Sequence, residues 1–195
     1  MPAKWKTCTI ADLGTVVGGA TPSTKNPDNY AVDGLPWITP KDLAGYNERF
    51  ISRGQRDISD IGFNSTSIQI LPKNTILFTS RAPIGYVAIA ANDLSTNQGF
   101  KSLIPNSDTD YMFLYYLLKF NKNNIENMGS GTTFKEVSGS TMRSISVSAP
   151  VEIAEQRKIA AVLSALDSKI ELNTRINKNL SYANNNVAFN LREAA

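Results

Sequence analysis

The distribution of proline and glycine divides this 195-residue chain sharply near residue 150. All nine prolines and all twelve glycines lie in residues 1–150, and residues 151–195 contain neither. These two residue types form turns and interrupt helices. The pattern therefore predicts a turn-rich globular domain over residues 1–150 and a helical extension over residues 151–195.

The first 150 residues have the pattern of a mixed α/β (α+β) domain built from short strands. Runs of β-branched and aromatic residues, bounded by Pro, Gly or Asn, predict five strands. These are Leu35–Thr39, Ser67–Leu71, Thr75–Ser80, Gly85–Ala90 and Ser144–Ser148. A helix is predicted from Thr109 to Phe120, with Asp108 as its N-cap, and its almost wholly apolar middle predicts a buried helix.

The C-terminal part is predicted to be one helix from Glu152 to at least Ala188, about 55 Å long at 1.5 Å per residue. Apolar residues and asparagines recur along it at alternating spacings of four and three, which is the pattern of a coiled-coil seam. The seam positions are Ile159, Leu163, Leu166, Ile170, Asn173, Asn177, Leu180, Asn184, Val187 and Leu191. We expect this helix to be a spacer that dimerises with another helix. The alternative is a helix folded back onto its own domain.

The composition excludes several kinds of catalytic site. The chain has no histidine and one cysteine, Cys8, so Ser-His-Asp and Cys-His chemistry and the usual zinc sites are excluded. A single cysteine fits a reducing, cytoplasmic location, and Cys8 is interpreted as a strand or core residue. No apolar run reaches the length of a membrane span, and the N-terminus lacks the apolar core of a signal peptide. We expect no catalytic residue, no metal and no cofactor.

Three polar loops carry the candidate binding residues. They begin at Gly18, Leu71 and Gly129, and they are rich in Gly, Ser, Thr and Asn with isolated basic residues. Backbone N–H groups and hydroxyls suit phosphate oxygens, and Arg, Lys, Asn and Gln suit base edges. The alternative is ordinary turns, with Asn97-Gln98-Gly99 satisfying backbone groups. The DNA-binding candidates, two of them added as basic residues beside turns, are Thr21, Ser23, Lys25, Lys41, Arg81, Asn97, Gln98, Lys101, Thr132, Thr133 and Lys135.

Taken in order, these segments resemble the specificity subunits of type I restriction–modification systems. The resemblance covers essentially the whole chain, and its motifs are specific as an ordered series rather than singly. It is carried by residues 5–22, Gly34-Leu35-Pro36-Trp37-Ile38, Ser80-Arg81-Ala82, Thr96-Asn97-Gln98-Gly99-Phe100, residues 129–135, residues 155–159 and residues 166–170.

The resemblance implies a target recognition domain followed by a conserved spacer helix. Such a subunit is non-catalytic. It binds double-stranded DNA and joins methyltransferase (M) subunits to a restriction and translocase (R) subunit. Full subunits usually hold two such units, so this chain is expected to be a natural half-subunit, forming a homodimer, or a fragment whose helix pairs with the second half of its own chain. The alternative is a coiled-coil adaptor that binds protein and not DNA, and a DNA methyltransferase is a distant third.

Overall fold

The computed structural model describes residues 3–131 and 135–193, with side chains up to residue 180 apart from that internal gap. The chain divides into two compact units, Met1–Ala160 and Ala161–Ala195. The strands of the described part are β1 (Trp5–Thr9), β2 (Gly14–Gly18), β3 (Tyr30–Ala31), β4 (Leu35–Ile38), β5 (Phe50–Ile51), β6 (Arg56–Ile58), β7 (Ile76–Phe78), β8 (Val87–Ala90), β9 (Ser95–Thr96), β10 (Lys101–Pro105) and β11 (Ser146–Pro150). The helices are α1 (Asp60–Asn64), α2 (Tyr111–Asn127), α3 (Gly139–Ser144) and α4 (Ile153–Glu193).

The strands form three sheets. A five-stranded sheet has the order β2-β10-β7-β8-β5, a four-stranded sheet has the order β3-β6-β4-β9, and β1 pairs with β11. The pairings are antiparallel except for β4 with β9 and β5 with β8, which are parallel. The mixed α/β class with short strands and one long terminal helix is confirmed.

The five-stranded sheet is buried on both faces. Along β7, Ile76 and Phe78 belong to one hydrophobic cluster, with α2 and α3, whereas Leu77 between them belongs to a second cluster on the opposite face. This follows from the alternation of side chains along a strand. Because both faces are covered, the central strands are continuously apolar, which is why they were visible in the sequence.

One predicted strand is wrong. Ser67–Leu71 forms no strand, and only Leu71 makes an isolated bridge, to Leu94. The two buried side chains of this segment, Ile68 and Leu71, pack into different hydrophobic clusters. Buried side chains three residues apart do not follow the two-residue alternation of a strand with one buried face, so this segment is not a strand. The other four predicted strands are confirmed in β4, β7, β8 and β11, with shifted ends.

The predicted buried helix is confirmed as α2, but its N-cap was assigned wrongly. The carboxylate of Asp110, and not that of Asp108, accepts a hydrogen bond from Phe113 N at 2.9 Å. The helix also continues past Phe120 to Asn127, because Ile125 is fully buried in the core. The polar, asparagine-rich part of α2 after Phe120 is therefore held against the core by the buried side chain of Ile125.

Strand β1 holds Cys8, in agreement with its interpretation as a strand residue. Cys8 is half-buried opposite Val147 of β11. Burial raises the pKa of the Cys8 thiol, while Lys6 opposes this and Asp12 adds to it. A thiol with a raised pKa is a weak nucleophile at neutral pH.

The long helix α4 spans 41 residues, as the absence of proline and glycine predicted. Its first two turns belong to the first compact unit, where Gln156 and Ala160 are buried and Ile159 packs against the core. Within the described residues, no helix is both long and apolar enough to cross a membrane.

Candidate nucleic-acid interface

The ends of four strands meet at residues 97–101. Strand β2 ends at Gly18, which lies opposite Lys101 at the start of β10. Thr79, directly after β7, forms a bridge with Phe100, and the parallel strands β4 and β9 end side by side at Ile38 and Thr96. The loops that follow these strands are therefore brought together. We call residues 18–25, 39–41, 80–81, 97–101 and 136 the loop cluster.

The first of these loops is fixed by a close backbone approach at Gly19. A β-carbon at Gly19 would lie 2.1 Å from Asn97 O and 2.3 Å from Thr96 O, so only glycine fits without a shift of the backbone. Ala20 N donates to Thr96 O at 3.0 Å, and Thr21 Oγ1 donates to Gln98 Oε1. Ser23 and Lys25 follow at exposed positions.

Residues 97–99 form a turn closed by their own side chain. Asn97 Oδ1 accepts a hydrogen bond from Gly99 N at 2.9 Å, and Asn97 N donates to Ile38 O at 3.0 Å. The carbonyl side of the Asn97 amide is thus engaged within the protein, as the turn interpretation of this motif expected. Gln98 is exposed beside Thr21.

The side chains of Arg81, Lys101 and Glu136 form an ion-pair cluster. Glu136 Oε1 lies 3.3 Å from Lys101 Nζ, and Glu136 Oε2 lies 3.7 Å from Arg81 Nη1. The Lys101 side chain is 15% exposed, whereas those of Arg81 and Glu136 are 36% and 37% exposed. Two predicted DNA contacts therefore share one carboxylate, which sequence spacing did not indicate.

Lys41 lines a cavity of about 200 Å³ formed mostly by polar residues. It follows β4 in a short 3-10 turn, Pro40–Leu43, and the cavity is also lined by Trp37 and Arg56. The guanidinium of Arg56 sits 5.5 Å from the centre of the Tyr30 ring. Arg56 is therefore a basic residue of this region that is absent from the predicted set.

A second basic residue absent from the predicted set is Arg143 of α3. A β-carbon at Gly139 would lie 3.5 Å from Arg143 Nη1 and 3.9 Å from Lys101 Cε, so both cationic side chains flank Gly139. No local motif marks Arg143, because its proximity to Lys101 arises from packing. Among the remaining candidates, Lys135 is exposed, and Thr132 and Thr133 lie outside the described residues.

The second unit carries the predicted seam on α4. Leu163, Leu166, Ile170 and Leu180 are 36%, 57%, 62% and 57% exposed, and Leu172 and Ile176 extend the exposed apolar stripe. Asn173 and Asn177 are exposed between them. The seam side chains of Asn184, Val187 and Leu191 lie outside the described ones. Ile159, predicted to begin the seam, is partly buried against the core of the first unit.

Comparison with known proteins assigns the chain to a family. The model of the family described as type I restriction modification DNA specificity domain matches residues 2–182. The chain belongs to this family. The specificity subunit MjaIX of a type I restriction enzyme from Methanocaldococcus jannaschii is 47% identical over 173 residues, which are 88% of this chain and 40% of the relative. The HindI specificity subunit from Haemophilus influenzae is 28% identical over 178 residues, 88% of this chain and 38% of the relative.

Solved structures agree in fold with this specificity-domain chain. An HsdS subunit from Thermoanaerobacter tengcongensis superposes with a TM-score of 0.67 at 17% identity, covering 90% of this chain and 40% of that one. The S subunit from M. genitalium gives a TM-score of 0.63 at 21% identity, covering 87% and 41%. The chain thus spans about 40% of the length of these relatives.

Proposed function

We propose that residues 1–150 form a target recognition domain, a DNA sequence reader without its own catalytic centre, and that residues 151–195 form its spacer helix. The observation that carries this proposal is the convergence of the loop cluster. It brings Thr21, Lys41, Arg81, Asn97, Gln98 and Lys101 to the ends of four strands, and Ser23 and Lys25 lie further along the first loop. The family of the chain is described as a DNA specificity domain. Hydroxyls, amides and cations side by side suit the mixture of phosphate and base contacts that sequence reading needs.

The proposal is tested by gel shift on a random duplex over a range of salt concentrations. Affinity for DNA falls as salt rises, and each phosphate neutralised by Lys or Arg makes the plot of log affinity against log salt steeper by about 0.9. Lys25→Ala is expected to lower this slope by about 0.9, as one lost phosphate contact. Lys73→Ala is the matched control, since the exposed Lys73 precedes β7 and residues 80–81 of the loop cluster follow the other end of this strand.

Sequence reading itself is tested by selection from random duplexes, with the chain assembled with its methyltransferase partner. Arg81→Ala is expected to weaken the selected site by about 1–3 kcal/mol if Arg81 contacts a base edge. No retardation of any duplex at low salt would instead support the adaptor that binds protein and not DNA.

The exposed stripe on α4 supports a second part of the proposal, in which this helix pairs with an equivalent helix. The partner is a second copy of this chain in a natural half-subunit, or the second half of a longer chain. Asparagines among the apolar residues suit such a pairing, because a mismatched partner leaves a buried amide unpaired. A two-fold dimer would place two identical readers on a split palindromic site. M and R subunits would complete the assembly and supply the catalysis.

Light scattering of the chain at high micromolar concentration tests the pairing. Wild type is expected to be a dimer, and Leu166→Glu is expected to be a monomer because it places a charge at an apolar seam position. Ala165→Glu is the matched control, since it adds the same charge at a neighbouring exposed position outside the seam. A wild-type chain that stays monomeric at this concentration would rule out the proposed homodimer.

A further inference from the structure

We propose that Glu136 is a positioning residue that keeps Arg81 and Lys101 away from phosphates, so that this part of the loop cluster discriminates sequence rather than adding general affinity. The inference rests on the proposed function. It assigns a role in DNA recognition to an acidic residue, which would repel the phosphate backbone if it stood alone.

The backbone around Glu136 is held on two sides. Glu136 N donates to Ser130 O at 2.9 Å, and Ser130 N donates to Glu136 O at 3.0 Å. The next residue, Val137, is fully buried and donates to Ser80 O at 2.9 Å. Ser80 N in turn donates to Gly99 O at 2.7 Å. The Glu136 carboxylate therefore stands at a fixed place between the segments that carry Arg81 and Lys101.

The two cations are held differently by this carboxylate. Lys101 is the closer, at 3.3 Å, and its side chain is mostly buried, so leaving Glu136 for a phosphate would break its ion pair in a partly dehydrated place. Arg81 is more exposed, and its guanidinium has five N–H donors. Glu136 thus orients Arg81 while leaving donors free for a base edge. Its negative charge makes contact of either Arg81 or Lys101 with a phosphate less favourable.

Removal of the charge at Glu136 is expected to increase sequence-independent binding. In the gel shift on random duplex, Glu136→Gln should raise affinity at low salt about 3–10-fold and steepen the salt slope by about 0.9, as one released cation reaches a phosphate. In the selection experiment its preferred site should be less sharply defined, by at least about fivefold in discrimination at one base pair. If Glu136 only stabilised the fold, its replacement would lower the affinity for DNA. A gain in affinity therefore distinguishes a positioning role from a structural one.

Two controls and one second test accompany this variant. Glu136→Asp keeps the charge and is expected to restore the wild-type slope. Glu152→Gln makes the same charge change at an exposed position before α4, outside the loop cluster, and is expected to leave the slope unchanged. Lys101→Met is a second test, used if Glu136→Gln does not fold. Because Glu136 already neutralises Lys101, this variant should reduce the salt slope by less than half as much as Lys25→Ala does.

The outcomes separate this inference from the proposed function. A wild-type chain that retards no duplex at low salt would overturn both. A wild-type chain that binds DNA, together with a Glu136→Gln slope equal to or below the wild-type slope, would overturn the role of Glu136 alone. So would a Lys101→Met slope that falls as far as that of Lys25→Ala.

Discussion

Gln156 joins the start of α4 to two other parts of the first unit through a buried side-chain amide. Its Oε1 accepts a hydrogen bond from Asp110 N at 2.9 Å, and its Nε2 donates to Pro150 O at 3.1 Å and to Asp108 O at 3.4 Å. The side chain is 2% exposed, so water cannot easily replace it. Each buried polar group left without a partner costs about 1–3 kcal/mol. Gln156→Ala is therefore expected to lower the free energy of unfolding by about 2–4 kcal/mol, taking the two shorter bonds as the main contributors.

Urea denaturation followed by circular dichroism measures this change. With a slope of about 2 kcal/mol per molar urea, the midpoint should fall by about 1–2 M. Gln69→Ala is the control, because Gln69 is exposed, and it should change stability by less than about 0.5 kcal/mol. Equal midpoints for Gln156→Ala and wild type would refute the reasoning.

A charge variant at the same position tests the physical cause. In Gln156→Glu the carboxylate replaces the group that donates to Pro150 O, so burial and the facing carbonyl should raise the pKa of the new side chain above its unfolded value of about 4.3. Protonated, the carboxyl group can donate to Pro150 O as the amide does. Relative to wild type, this variant should be most stable below that unfolded pKa and should lose stability as pH rises through the folded pKa. A difference from wild type that does not change with pH would contradict this explanation.

Two further predictions follow from single contacts. Gly19→Ala should destabilise the fold by about 1–3 kcal/mol, since its β-carbon would meet the carbonyl oxygens of Thr96 and Asn97, whereas Gly18→Ala meets no atom within 4 Å and should have little effect. Thermal melts of the two variants compare them directly, and equal losses would show that the close approach is unimportant. Cys8 should react with a thiol reagent at pH 8 more slowly in the folded chain than in urea, because burial raises its pKa and hinders access. Equal rates in the two states would show that β1 does not protect it.

Much of the architecture was readable from the sequence because it depends on local pattern. The change in proline and glycine content near residue 150 predicted α4, since only the helical part must avoid both residues. The apolar runs of β7 and β8 predicted strands, because a sheet covered on both faces needs apolar side chains at successive positions. The basic and polar loop residues were recognised by type.

Tertiary structure decided which of these residues meet. The pairing of Trp5–Thr9 with Ser146–Pro150 joins the two ends of the globular part. The sequence pattern predicted the second of these strands but did not indicate its partner. Asp110 rather than Asp108 caps α2, in a setting where Gln156 contacts both residues. Glu136 became a candidate only when Arg81 and Lys101 were seen on either side of it. Local pattern can show what a segment prefers to be. Its partners are set by packing between residues that lie far apart in the chain.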